Sequence, residues 1–198
     1  MSGGRRDPAP RELRAAVAAK YREVARGAEG HFPYPVGRAS LERLGYDPAL
    51  LARAPPELVE RFVGVGNPLR LRPPRAGERV LDLGCGGGLD VGWAARCVGP
   101  TGRSAGVDLT REMLRGAARA LPANARVVQG DLERLPFRDA AFDLVCSNGA
   151  LNLVPDKDRA FREIRRVLRP GGDLAVADLL VTATVPPETL ASMDAWST

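Results

Sequence analysis

The sequence predicts an α/β chain: a doubly wound, mostly parallel sheet behind an N-terminal helical segment, with the last strands of the sheet missing from the C-terminal end. Three observations predict it. From Glu78 onward short β-rich runs alternate with helical ones, the pattern of parallel strands joined by right-handed crossovers. The run Val80-Leu81-Asp82-Leu83-Gly84-Cys85-Gly86-Gly87-Gly88 reads as a buried strand that ends in an acidic residue and enters a glycine-rich turn. The chain has 198 residues, enough to bury roughly 70% of its unfolded surface without covalent staples.

The first part, residues 1–75, differs in kind from residues 76–198. Over residues 11–25, Leu13, Ala16, Val17, Tyr21 and Val24 recur at helical spacing, and His31-Phe32-Pro33-Tyr34-Pro35 stops the helix. Short helices are expected over residues 40–44 and 56–63, followed by a turn-rich connection, Gly64-Val65-Gly66-Asn67-Pro68. This segment is expected to cap the site as a lid. The second part gives strands at 80–83, 104–107, 126–129, 142–146 and 173–180, with helices at 90–97, 111–121 and 156–168. Arg169-Pro170-Gly171-Gly172 ends the last helix. Residues 181–198 are too few for a further helix and a closing hairpin, and residues 174–180 would leave an apolar sheet edge. The chain is therefore expected to be part of something longer, or to have its sheet completed by a partner.

Such a sheet binds its ligand beyond the carboxyl ends of the strands. A dinucleotide fingerprint needs glycine at the first, third and sixth places of the turn, and the sixth place is Leu89 counted from Gly84 and Val91 counted from Gly86. What fits is Asp-x-Gly-x-Gly-x-Gly, from Asp82 to Gly88. A carboxylate ahead of the turn repels phosphate and attracts cations, which favours S-adenosylmethionine, a sulfonium and ammonium compound without phosphate. Asp82 is expected to act on the ammonium, with Gly84, Gly86 and Gly88 letting backbone approach the ligand. Asp108, at the end of Gly106-Val107-Asp108-Leu109, lies 24 positions after Gly84, where a carboxylate accepts both ribose hydroxyls, and Thr110 shares in capping the helix that follows. Asp131 or backbone groups are expected near the adenine amine and Leu132 against the ring, within Gly130-Asp131-Leu132-Glu133; the stretch from Ser147 to Asn152 enters beside the methyl group. Methyl transfer from a sulfonium needs positioning more than a dedicated acid or base, so no catalytic residue is assigned. The lone histidine, His31, has no second ligand at metal-binding spacing, and no metal is expected.

These motifs resemble the class I S-adenosylmethionine-dependent methyltransferases, and within them the arsenite methyltransferases. The glycine loop and Asp108 mark the large class. Phe62-Val63-Gly64-Val65-Gly66-Asn67-Pro68 and Ser147-Asn148 with Asn152-Leu153-Val154-Pro155-Asp156-Lys157 resemble the arsenite branch. The resemblance implies a Rossmann-like fold and a cofactor set of Asp82, Gly84, Cys85, Gly86, Asp108, Leu109, Thr110, Leu132, Glu133 and Asn148. It also implies cysteine thiolates for trivalent arsenic near the Gly64 turn and in or after the Ser-Asn motif; here those places hold Val63, Gly149 and Val154. The expected activity is methyl transfer to a small molecule, a metalloid or an organic metabolite, or cofactor binding without turnover.

The net charge of +5 comes with arginines spread along the chain and lysine only at Lys20 and Lys157, so no basic stripe points to nucleic acid. Three cysteines, Cys85, Cys97 and Cys146, form no disulfide framework and favour a reducing compartment, and nothing approaches the ~20 apolar residues of a membrane span. A cytoplasmic protein is expected.

Overall fold

The computed structural model describes residues 9–180 and Thr182. Five parallel strands form one sheet in the order β3-β2-β1-β4-β5: β1 (Arg79–Leu83), β2 (Arg103–Asp108), β3 (Ala125–Gln129), β4 (Phe142–Asn148) and β5 (Leu168–Ala177). The order reverses between β1 and β4, which makes the end of β1 the switch point of the sheet. The crossover helices are α6 (Leu89–Val98), α7 (Arg111–Ala120) and α8 (Lys157–Val167).

The period of two along each strand divides the core between two faces. Leu81, Leu83 and Val145 point to one side, where Ala160, Ile164 and Val167 of α8 cover them. Val80, Leu144 and Cys146 point to the other, against Ala94 and Val98 of α6. Each such aliphatic side chain contributes roughly 1.5–3 kcal/mol on burial. Asp82 lies between Leu81 and Leu83 in sequence and so is turned with Val80 toward the α6 side.

Before the sheet come α1 (Pro10–Val24), α2 (Gly37–Arg43), α3 (Pro48–Arg53), α4 (Pro56–Glu60) and α5 (Pro68–Leu71). The expected helix over 11–25 is α1, already ended at Val24, before the proline-rich stretch. Two short helices lie outside the sequence expectation. In α3, Asp47 accepts from the Ala49 N–H at 2.8 Å; in α5, Asn67 accepts from the Arg70 N–H at 3.1 Å, and proline holds the first position of each. The connection expected over 64–68 thus already contains the cap and first residue of a helix. β5 also departs from expectation, running from Leu168 rather than 173 and ending at Ala177. Its pairing with β4 jumps from Phe142↔Leu168 to Leu144↔Asp173, so the expected stop at Arg169-Pro170-Gly171-Gly172 is an irregularity within the strand, with Gly171 at φ +75°. The expectation for residues 181–198 lies outside the described residues, apart from Thr182. Among the described residues no helix is long and apolar enough to cross a membrane.

Candidate functional site

Parallel strands bring their carboxyl ends to one edge, where Gly84 to Gly88 lead from β1 into α6. The turn needs glycine: φ is +67° at Gly84, +49° at Gly86 and +85° at Gly88, and a Cβ on Gly84 would stand 2.3 Å from the Ala150 methyl. Its amides face inward. Gly84 and Cys85 donate to the Val107 carbonyl at 2.8 and 3.0 Å, Gly88 to the Cys85 carbonyl at 2.8 Å, and Gly86 to the Asp108 carboxylate at 2.9 Å. A phosphate-binding loop aims such groups at its ligand. Here these four already have partners in the protein.

Asp108 is buried at the end of β2 and accepts from Thr110 N–H at 2.7 Å as well as from Gly86. A carboxylate has about four acceptor positions, so acceptor capacity remains for a ligand. Burial raises its pKa, against the pull of the two backbone donors and of the Thr110 side chain.

A cleft of about 740 Å³ opens over these strand ends. Gly84, Gly86, Asp108, Leu109 and Thr110 line it from the ends of β1 and β2; Asp131 and Leu132, beyond β3, and Asn148, the last residue of β4, line it from the other strands. The structure thus brings together eight of the residues singled out from the sequence. The opposite wall comes from the N-terminal segment expected to cap the site, through residues not singled out as site residues: Arg14, Val17 and Tyr21 of α1, with Val63. Arg14 ion-pairs with Glu133 and, at 2.9 Å, with Asp131, which ties α1 to the loop after β3.

A second cavity of about 370 Å³ shares Val63, Gly84, Gly86 and Asn148 with the first and reaches Asp82, Cys85 and Asp90. Arg61 is its cationic lining residue. Asp82 lines this cavity and not the larger one; the Cys146 thiol lies 3.7 Å from its carboxylate. Burial, then the neighbouring Asp90, push the Asp82 pKa well above the carboxylate range, and burial pushes Asp90 up to about 6. Neither has an ion-pair partner among the described residues.

Other expected residues are engaged by the protein itself. Gly88 is the left-handed residue that starts α6, packed where a Cβ would meet the Ala117 methyl at 2.8 Å. Glu133 is buried, held by Arg14 and by the Asp156 N–H at 3.1 Å, and lines neither cavity. The Cys85 thiol packs with Val91, Ala95 and Leu114, and burial raises its pKa, as it does that of Cys146. Asn148 uses its side-chain oxygen on the N–H groups of Val65 and Gly66, at 2.9 and 3.0 Å. Among the described residues no group of three or more His, Cys, Asp or Glu is arranged to hold a metal ion.

Residues 81–176 match the methyltransferase domain family. An arsenite methyltransferase of Halobacterium salinarum is 41% identical over 151 residues, covering 74% of this chain and 38% of that protein. A ubiquinone/menaquinone biosynthesis C-methyltransferase of Pseudomonas putida is 40% identical over 115 residues, 56% of this chain and 45% of that protein. Among solved structures, an arsenic(III) S-adenosylmethionine methyltransferase from Chlamydomonas reinhardtii superimposes with a TM-score of 0.66 at 40% identity, covering 71% of this chain and 51% of that one. The chain spans about half or less of the length of these relatives.

Proposed function

This chain belongs to the class I S-adenosylmethionine-dependent methyltransferases, on the arsenite methyltransferase-like side of that family, and from that membership we propose that it transfers the methyl group of S-adenosylmethionine to a small-molecule acceptor. One observation carries the proposal: a glycine loop whose amides face inward, beside a buried Asp108 with acceptor capacity to spare. That combination suits a ribose without phosphates.

In this reading Asp108 accepts the ribose hydroxyls, Leu109 and Leu132 enclose the adenine, and Asp131 stands near its amine. Asp82 takes the ammonium from the second cavity. Arg61, the cation lining that cavity, takes the carboxylate, so the cavity's charges match an amino-acid zwitterion. The sulfonium supplies a good leaving group when the cofactor is bound; what the protein contributes is alignment and exclusion of water, worth roughly 7–11 kcal/mol in well-oriented systems. Of residues 1–75, the described part from residue 9 onward caps the site in this reading, tied down by Arg14.

Calorimetric titration with S-adenosylmethionine tests the reading. The wild-type chain should bind, and Asp108→Ala should bind at least about thirtyfold more weakly, the equivalent of losing ~2 kcal/mol of charge-assisted hydrogen bonding. Absence of binding by the wild type, or equal binding by the variant, would falsify it.

The acceptor is best read as organic. Val63, Gly149 and Val154, standing where the resemblance implies thiolates, all line the larger cavity, which has no cysteine in its lining. Cys85 and Cys146 are buried with raised pKa, and a protonated thiol is a poor ligand for a soft metalloid. Methylated arsenic from arsenite, thiol and labelled cofactor would refute the organic reading. The proposal takes the acceptor to be a small molecule rather than nucleic acid, and the setting to be the reducing cytoplasm, consistent with three unpaired cysteines.

A further inference from the structure

Residues 63–67 form part of the wall of both cavities through Val63, yet carry no helix or strand. They are held by side chains instead. Asn148, at the end of β4, accepts from the N–H groups of Val65 and Gly66 at 2.9 and 3.0 Å, and its Nδ2 donates back to the Gly66 carbonyl at 2.9 Å. The same Nδ2 lies 3.1 Å from the Tyr46 hydroxyl and 3.2 Å from the Asp90 carboxylate. Tyr46 in turn donates to Asp90 at 2.8 Å. The contact is close-packed, for a Cβ on Gly64 would stand 2.4 Å from Asn148 Nδ2, and one on Gly149 would stand 3.3 Å from a Val65 methyl.

Three parts of the chain meet here: Tyr46 from between α2 and α3, Asp90 from the first turn of α6, Asn148 from the last position of β4. An Asn side chain has two donors and two acceptor positions, and in this network each faces protein. Little is left for a ligand. Asp90 is the member that orders the others, since a carboxylate only accepts: it fixes the direction of the Tyr46 hydroxyl and turns the Asn148 amide so that its oxygen faces the Val65 and Gly66 amides. Packing alone does not require a charge there, and burying one is costly unless it is well bonded. On the methyltransferase reading above, we propose that Asp90, acting through Tyr46 and Asn148, is a positioning residue that locks the turn over residues 63–67 against the end of β4 and thereby fixes the wall of the cofactor site. Asn148 then acts on the turn and not on the cofactor. A displacement of about 1 Å in such a wall suffices to cost on the order of a hundredfold in rate.

The test compares the full chain with Asp90→Asn and Tyr46→Phe, each close to isosteric. Three quantities are measured: hydrogen exchange at the Val65 and Gly66 amides, the melting temperature, and the dissociation constant for S-adenosylmethionine. Both variants should exchange those amides at least tenfold faster, and Tyr46→Phe, which leaves in place the Asp90 charge that also faces the second cavity, should bind the cofactor about tenfold more weakly, while Asp90→Asn melts no lower than wild type at pH 7.5. A residue with a merely structural role would lower melting and binding together. Unchanged exchange in both variants overturns the proposal, and so does faster exchange with unchanged affinity. A wild type that fails to bind the cofactor refutes the methyltransferase reading itself, a result told apart from these because the exchange comparison needs no ligand.

Discussion

Replacing Asp90 by asparagine should stabilise the folded chain at neutral pH, although it removes a hydrogen-bonded group from the core. Burial pushes the Asp90 carboxyl from its ordinary 3.8 up to about 6, even with Tyr46 and Asn148 bonded to it. Between those values the folded chain holds a proton that the unfolded chain has lost, so stability falls as pH rises through the window. The penalty is complete above about pH 6 and absent below about pH 4. A difference of about two pKa units corresponds to about 3 kcal/mol. Asn at this position is neutral at every pH and keeps one acceptor, but its amide faces donors, which takes back about 1 kcal/mol. The net gain at pH 7.5 is therefore about 2 kcal/mol, or a rise of roughly 4–8 °C in melting temperature for a chain of this size. Circular-dichroism melts of both proteins at pH 4, 5.5 and 7.5 measure it. The gap should open with pH; a variant that melts lower than wild type at pH 7.5, or by the same margin at all three, contradicts the assignment of Asp90 as a buried, penalised charge.

Asp82 and Asp90 face one cavity and burial raises the pKa of both, so around pH 6, where Asp90 is part protonated, a bound ammonium would displace protons from the pair. Titrations with S-adenosylmethionine at pH 5.5–6 in buffers of different ionisation enthalpy should report proton release, and a buffer-independent heat would rule it out. Arg14→Ala cuts the ties from α1 to Asp131 and Glu133. Limited proteolysis should then cleave within residues 10–24 faster than in wild type, with cofactor affinity reduced severalfold; unchanged cleavage would mean that packing alone holds α1.

What the sequence made legible is what has a short, fixed spacing. The glycine loop and Asp108 stand at the ends of β1 and β2 because a strand followed by a left-handed turn can be written in few ways, and the alternation of apolar runs marked all five strands. Arg14 and Tyr21 were invisible as site residues, since nothing in an amphipathic helix over residues 10–24 tells which outer side chains will meet a loop more than a hundred positions later. Asp90 had only the appearance of a helix start. Glu133 was named only through the family resemblance, and its sequence neighbourhood gave no sign of the buried ion pair with Arg14. Helices α3 and α5 were too short for periodicity to register, though Asp47-Pro48 and Asn67-Pro68 carried cap signals that propensity alone could have flagged.

Charge decides the class of ligand more firmly than shape does. Asp82, Asp90 and Asp108 surround one glycine loop and have no ion pair with any described residue. Two like charges 5 Å apart repel by about 3 kcal/mol at an effective dielectric of 20, and a diphosphate would meet more than one of these carboxylates while finding few loop amides to receive it. A sulfonium with an ammonium reverses the sign of the same terms. The raised pKa values are the counterpart of that argument in the ligand-free protein: where no cation is supplied, burial disfavours the charged form of these carboxyls, and that cost is what a cationic ligand relieves on binding.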